Sequence, residues 1–261
     1  MHHHDLIRPR SCCCTTGGYL YTSNDYGLTW SADTSAGNQT WTAITLSADG
    51  RSGAATTGPG CIYLYKQLAP TPAPTLAPTV NPGTLIPICS MGITPWSSVA
   101  SSDLGDKLVA SDGYGLLYTS SDGGYTWTGV SSLGNQSWTS VASSSNGSVL
   151  VGVTSTGGVY TSVNAGLSWT VQAGAPNVTW SSVASDGEGR AIVATARSGQ
   201  IWTSQDGGVS WSSTNSPGGG SELWSSVDMS SSGAVQIASV AVGAVGDMSP
   251  VMHPGPYWLS A

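Results

Sequence analysis

Few side chains in this chain could do chemistry. Fourteen acids stand against seven bases, for a net charge of −7, and only two of the acids are glutamates, Glu188 and Glu222. Hydrolysis of a glycosidic bond needs two carboxyl groups facing one cleft. The nearest such couple in sequence is Asp186 and Glu188, but both lie in Ser-Asp-Gly-Glu-Gly, which reads as a solvated turn. Glu222 sits in a Gly-Ser loop. Arginine grips a carboxylate with two parallel hydrogen bonds, yet the five arginines are spread over the chain at Arg8, Arg10, Arg51, Arg190 and Arg197. With Lys66 and Lys107 they form no basic stripe, which excludes a nucleic-acid surface of the usual kind.

The start of the chain, MHHHDLIRPRSCCCTT, brings together three His and three Cys. Both are metal-ligand types, but successive side chains on an extended chain point to opposite faces, and one site rarely uses three in a row. Residues 1–16 are therefore read as a disordered leader, or as the product of a misplaced start codon, and no metal or cofactor is expected. The leader lacks the apolar core of a signal peptide, and no apolar run approaches the roughly 20 residues of a membrane span.

The elements that must position these groups announce themselves by repetition. TSNDYGLTW (22–30), TSSDGGYTW (119–127), TSVNAGLSW (161–169) and TSQDGGVSW (203–211) align without gaps, the last three at intervals of 42 residues. A second marker, WTAIT, WSSVA, WTSVA, WSSVA and WSSVD, begins at Trp41, Trp96, Trp138, Trp180 and Trp224. Nine of the 11 tryptophans fall on these two markers, so the repeat governs the fold. Each unit reads as four short strands. In the cleanest one these are about 96–100, 107–111, 116–120 and 126–130, separated by glycine-containing turns. Repeated four-stranded units of this length are propeller blades, and such units stack because none can bury its apolar face alone.

At the tip between strands three and four, Asp accepts backbone hydrogen bonds, Gly supplies positive φ, and Trp covers the turn. The residues carrying these roles are Asp25, Gly27 and Trp30; Asp122, Gly124 and Trp127; Asn164, Gly166 and Trp169; and Asp206, Gly208 and Trp211. Asn164 and Ala165 depart from the pattern, which predicts a looser turn there.

The pattern S/T-x-D-x-G-x-S/T-W is the Asp box, and over about residues 17–237 the chain resembles the Asp-box (BNR-type) propellers. These include sialidases, sortilin-type receptors, xyloglucan-hydrolysing propellers and photosystem II assembly-factor propellers. The resemblance implies that the boxes are peripheral and structural. The sialidase arginine triad and its Arg-Ile-Pro signature are missing, and the basic docking surface of the assembly factors is absent from this acidic chain. The resulting expectation is a binding or scaffold propeller without catalysis, a monomer whose ligand is a protein or a carbohydrate. A photosystem II assembly-factor-like role and a degenerate or partial glycoside hydrolase are the alternatives.

The chain divides into the leader, a propeller over 17–238, and degenerate last strands or a tail over 239–261. The N-terminal unit has only the second half of a blade, and the C-terminal unit only the first. That predicts about five blades with one completed by both termini; the alternative is a fragment of a larger ring. One unit is interrupted by the Pro-rich QLAPTPAPTLAPTVNPGT (67–84), which cannot join a sheet. It is read as an enlarged hairpin tip, with a flexible linker as the alternative. Cys61 and Cys89 flank this insertion, and a disulfide or two unrelated buried thiols are both open. Sequons at Asn38, Asn135, Asn146 and Asn177 lean toward secretion, with a plastid lumen the other compartment considered.

Overall fold

The computed structural model describes residues 18–23, 25, 27–67, 84–214 and 222–241. The leader, the Pro-rich stretch 68–83 and the segment after 241 lie outside them. The described chain is all-β apart from one 3₁₀ turn, Ser131–Leu133. Four sheets are complete four-stranded antiparallel meanders. They comprise β3 (Trp41–Leu46), β4 (Ser52–Thr57), β5 (Ile62–Lys66) and β6 (Thr84–Ile88); β7 (Trp96–Ser101), β8 (Leu108–Asp112), β9 (Leu117–Ser120) and β10 (Thr128–Gly129); β11 (Trp138–Ser143), β12 (Leu150–Thr154), β13 (Val159–Ser162) and β14 (Thr170–Val171); and β15 (Trp180–Ser185), β16 (Ile192–Ala196), β17 (Ile201–Ser204) and β18 (Ser212–Ser213). A two-stranded sheet stands at each end, β1 (Leu20–Thr22) with β2 (Ser31–Asp33) and β19 (Trp224–Met229) with β20 (Gln236–Val240). By repeat alignment the first is the outer half of a blade and the second an inner half. These are the blades of a partial β-propeller.

The fourth strands are shorter than the sequence suggests, because residues up to the box tryptophan are consumed by the turn before β10, β14 and β18 begin. β5 and β6 pair over five residues, Ile62↔Ile88 to Lys66↔Thr84. The Pro-rich stretch therefore joins two paired strands of one blade. Cys61 and Cys89, just beyond the far end of that pairing, form a disulfide.

Each first strand carries Trp and a β-branched aliphatic residue (Ile44 in β3, Val in the other four) three residues apart, a spacing that would send them to opposite faces of a regular strand. A register shift at the first pair, for example between Trp138 and Ser140, inserts one extra residue. The bulge returns both to the same face, so Trp138 and Val141 enter one cluster with Val109 and Leu117 of the preceding blade. The same holds for Trp96 with Val99, Trp180 with Val183 and Trp224 with Val227. The five tryptophans are at most 5% exposed.

Each indole N–H also donates to the carbonyl of a glycine in the preceding unit: Trp41 to Gly18, Trp96 to Gly60, Trp138 to Gly115, Trp180 to Gly157 and Trp224 to Gly199, at 3.0–3.2 Å. Three of them meet a third-strand tyrosine edge-on, Trp41 with Tyr63, Trp96 with Tyr118 and Trp138 with Tyr160. A large apolar ring thus closes each blade interface, and its single polar atom is satisfied there.

Trp138→Ala should destabilise the chain by about 3–5 kcal/mol, the scale of an emptied aromatic site. Trp138→Phe, which keeps most of the ring and leaves the Gly115 carbonyl with the Gln136 N–H alone, should cost less, about 1–2 kcal/mol. Urea unfolding followed by circular dichroism measures both, and equal losses for the two variants would show that the indole N–H bond contributes little.

Candidate functional site

Two kinds of site converge polar groups in this fold, the turns between third and fourth strands and the concavity at the inner strands. In the turn after β9 the Ser120 hydroxyl donates to Asp122 Oδ1 (2.8 Å) and accepts the Gly124 N–H (2.9 Å). The Thr126 N–H donates to Asp122 Oδ1 (2.9 Å), and its hydroxyl to Oδ2 (2.6 Å). The Trp127 indole N–H donates to the Gly124 carbonyl (2.8 Å). The turn after β17 repeats every one of these bonds through Ser204, Asp206, Gly208, Ser210 and Trp211. Ser23, Asp25, Gly27, Thr29 and Trp30 repeat them at the turn between β1 and β2.

Three donors thus converge on each carboxylate and favour its charged form. The Thr126 hydroxyl and N–H, together with Ser120, hold Asp122 down at about 2. The Ser210 hydroxyl and N–H do the same for Asp206, also at about 2. Asp25 is lowered by the matching donors of Thr29.

The third turn corrects the expectation of looseness. Asn164 Oδ1 still accepts from Ser162 Oγ (2.9 Å) and Ser168 N–H (2.9 Å). Its Nδ2 now donates to Ser168 Oγ (2.8 Å), so the hydroxyl has changed from donor to acceptor and the bond is kept. Ala165 takes the left-handed conformation, φ 56°, where the equivalent Gly123 and Gly207 have φ 74° and 72°. The turn geometry is preserved, and the departure appears as backbone strain at one alanine.

The second site is the concavity of about 210 Å³ where first strands from five blades converge. Inter-blade backbone bonds run along it at the turns after the first strands: Ala48 N–H to Asp103 O, Asp103 N–H to Ser145 O, Ser145 N–H to Gly187 O and Gly187 N–H to Ser231 O, at 2.7–2.9 Å. Hydroxyls reinforce them, with Ser98, Ser140 and Ser182 accepting the N–H of Val141, Val183 and Val227 at 3.1–3.2 Å. Three carboxylates from three blades, Asp103, Asp186 and Asp228, line the concavity, and among the described residues no Lys, Arg or His does.

Asp186 and Glu188 do not face one cleft. Asp186 lines the central concavity, whereas Glu188 is exposed and lines a peripheral groove with Arg190 and Asp206. Reading the sequence did not single out Asp103 or Asp228. The signal available for them was position relative to the Trp markers, since Asp228 ends the fifth marker itself. The sequon residues Asn38, Asn135, Asn146 and Asn177 are all exposed. Among the described residues no group of three or more His, Cys, Asp or Glu is arranged to hold a metal ion, and no helix is long and apolar enough to cross a membrane.

No family model and no curated protein matches the sequence. Among solved structures, an ancestral GH74 enzyme superposes with a TM-score of 0.57 at 15% identity, over 82% of this chain and 30% of its own. The GH74 enzyme of Niastella koreensis gives 0.46 at 20% identity, over 77% and 28%. YCF48 from Cyanidioschyzon merolae gives 0.49 at 17% identity, over 72% and 59%. The chain therefore spans less than a third of the length of these GH74 enzymes, and the likeness to the ancestral one is a likeness of fold.

That likeness corrects one expectation. The sequence reading excluded catalysis because the sialidase arginines and a carboxylate pair close in sequence are missing. The ancestral GH74 enzyme stands among the neighbours of this fold. One fold hosts both enzymes and non-enzymes, so the missing local pair does not exclude catalysis.

Two measurements test the turns. In the unfolded chain Asp122 and Asp206 protonate near 3.8, and in the folded chain only near 2. Between those values the unfolded state takes up protons that the folded state refuses. Their stabilisation is therefore full above about pH 4 and lost as pH falls toward 2. Scanning calorimetry from pH 5 to 2 should show Tm falling less steeply for Asp122→Asn, which adopts the Asn164 arrangement, than for the parent. At pH 7 Asp122→Ala should cost about 1–2 kcal/mol. Ala165→Gly should stabilise the chain by about 1 kcal/mol by removing the left-handed penalty, and an unchanged unfolding midpoint would show the strain to be absent.

Proposed function

We propose that the chain is a β-propeller binding and scaffold module of the Asp-box repeat type, and that its central concavity receives a cationic segment of a partner protein. The observation that carries this reading is the convergence of Asp103, Asp186 and Asp228 from three blades on one concavity that, among the described residues, no basic side chain lines. The turn carboxylates Asp25, Asp122 and Asp206 are already committed to donors of their own turns. Asp186 and Asp228 each accept one local main-chain N–H, from Arg190 and Met229, and together with Asp103 they line one shared space; clefts lined with one sign of charge concentrate the opposite sign. A Lys or Arg side chain fits that field, and partner residues can bond to the surrounding serines.

The GH74 likeness favours a second reading, a partial glycoside hydrolase-like propeller in which carboxylates from separate blades act on a carbohydrate. One experiment separates the two. Calorimetric titration with a Lys/Arg-containing peptide library and with xyloglucan oligosaccharides, each followed by product analysis, should give salt-sensitive peptide binding. Asp228→Asn should weaken it roughly threefold to fivefold, the scale of one partly exposed charge pair. Glu188→Gln, outside the concavity, should leave it unchanged. Sugar release lost in Asp228→Asn would replace the binding reading with the hydrolase one.

A further inference from the structure

The sequons at Asn38, Asn135, Asn146 and Asn177 occupy two different places in the blade. Asn38, Asn135 and Asn177 each stand three residues before a first-strand tryptophan, Trp41, Trp138 and Trp180. They lie in the connections that lead into β3, β11 and β15. Asn146 lies instead in the turn between β11 and β12. All four are exposed. Ile93 holds the equivalent place before Trp96 and is 79% exposed, so this position faces solvent even where no asparagine fills it.

Hydrogen bonding separates the two places. Asn146 Oδ1 accepts the Ser144 hydroxyl (3.0 Å), the Ser148 N–H (2.9 Å) and the Ser148 hydroxyl (2.6 Å), so its own turn accounts for both Asn146 and Ser148. In the other three sequons neither the asparagine side chain nor the hydroxyl of Thr40, Ser137 or Thr179 bonds to another described residue. The fold uses the residue between them instead. Gln39 Nε2 donates to the Ala36 carbonyl (2.9 Å), and Gln136 Nε2 to the Leu133 carbonyl (3.0 Å). Asn177 Oδ1 fills the space that a Cβ on Gly157 would need, a packing contact through the oxygen rather than through the nitrogen that carries a sugar. Buried or turn-forming asparagines are retained for their bonds; Asn38 and Asn135 make none.

The three sequons share one face. In an antiparallel meander the residues entering the first strand lie at the same end as the turn between second and third strands. Gly18 accordingly bridges Gln39, and the Gly115 carbonyl accepts the Gln136 N–H. The first-strand turns, with Asp103, Ser145 and Gly187 on the concavity, lie at the opposite end. The disulfide between Cys61 and Cys89 belongs to the sequon end, since Cys61 enters β5 and Cys89 leaves β6, and the adjoining Gly60 bridges Thr94. Disulfides persist in oxidising compartments, and a sequon on a surface loop is an acceptor for sugar in a secreted protein. Two independent features thus point to one cellular environment.

We infer that Asn38, Asn135 and Asn177 carry N-linked oligosaccharides, all on the propeller face away from the acidic concavity, and that they are acquired in the compartment where Cys61 and Cys89 are oxidised. The donor is an oligosaccharide linked through pyrophosphate to a lipid. Asn Nδ2 bonds to the anomeric carbon as that carbon's bond to the pyrophosphate oxygen breaks. The electron pair leaves with the lipid pyrophosphate, and Nδ2 gives up one proton. Charged residues make up only 8% of the chain, and Ile93 and Tyr114, each 79% exposed, lie on the same face. Sugars there hydrate a face with few charges and leave the concavity uncovered. Peptide binding at the concavity has no bearing on this modification.

The test uses the full-length protein isolated from its own cells, digested without reductant and read by intact glycopeptide mass spectrometry. Sugar-bearing peptides should appear at Asn38, Asn135 and Asn177, together with a peptide pair linked through Cys61 and Cys89. Asn38→Gln, Asn135→Gln and Asn177→Gln, expressed in the same cells, should each remove one glycan from the intact mass. The unglycosylated protein made in bacteria supplies a second readout. There Asn38→Gln and Asn135→Gln should leave Tm unchanged, whereas Asn146→Ala should lower it because three turn bonds are lost. Absence of a glycopeptide at any of the three positions would overturn the inference, as would free thiols at Cys61 and Cys89 in the cellular protein. A fall in Tm for Asn38→Gln and Asn135→Gln as large as that for Asn146→Ala would overturn it too, by making these asparagines structural.

Discussion

The structure depends on the indole of each first strand. Each is placed on the apolar face by a bulge, covers the third-strand aliphatic residue of the blade before it (with a second-strand valine at Trp138, Trp180 and Trp224), and donates its N–H to a glycine carbonyl of that same preceding unit. The glycine belongs to the turn between second and third strands, so the bond ties a turn of one blade to the first strand of the next. A blade with four strands, the last of only two residues, has little core of its own. Stability therefore resides at the interfaces, and the molecule is a chain of nearest-neighbour couplings rather than one central core.

This division separates scaffolding from chemistry. The turns between third and fourth strands hold a recurring carboxylate with all of its donors supplied locally, and for that reason their pKa values are low. A carboxylate saturated in this way is a poor acid, base or ligand at neutral pH. The first-strand turns differ because their main chains are bonded from blade to blade. That fixes the spacing between Asp103, Asp186 and Asp228 across the concavity without committing all three carboxylates to one another. Position in the blade, more than residue type, decides which acids are structural.

Much of the architecture could be read from residues alone. The interval of 42 residues between boxes and the recurrence of Trp on two markers are direct images of blade geometry, so fold class and the half-blades at either end were legible. The bulge was not legible, because Trp and Val three apart violate strand alternation and only pairing reveals the extra residue. The turn at Asn164 was misjudged for a related reason. The amide exchanges donor for acceptor with Ser168, a compensation that a comparison of letters does not display. Asp103 and Asp228 were missed because their significance lies in meeting across blades, and sequence distance hides that meeting. Asp186 and Glu188, two residues apart, line different concavities. The judgement against catalysis rested on the missing sialidase arginines and on the lack of a carboxylate pair, and the likeness of fold to an enzyme overturns it.

The inter-blade bonds all run in one sense: a tryptophan always reaches back to the preceding glycine, and a first-strand turn always donates forward to the next. A polarity of this kind, with the same buried set, makes the interfaces in front of β11, β15 and β19 interchangeable with one another. In-frame duplication or loss of one repeat, cut anywhere between equivalent positions, recreates an interface already present and leaves no unmatched surface inside the array. The heritable module is then the junction between blades rather than the blade. Such a gene can change its repeat number in a single recombination event without inventing a contact.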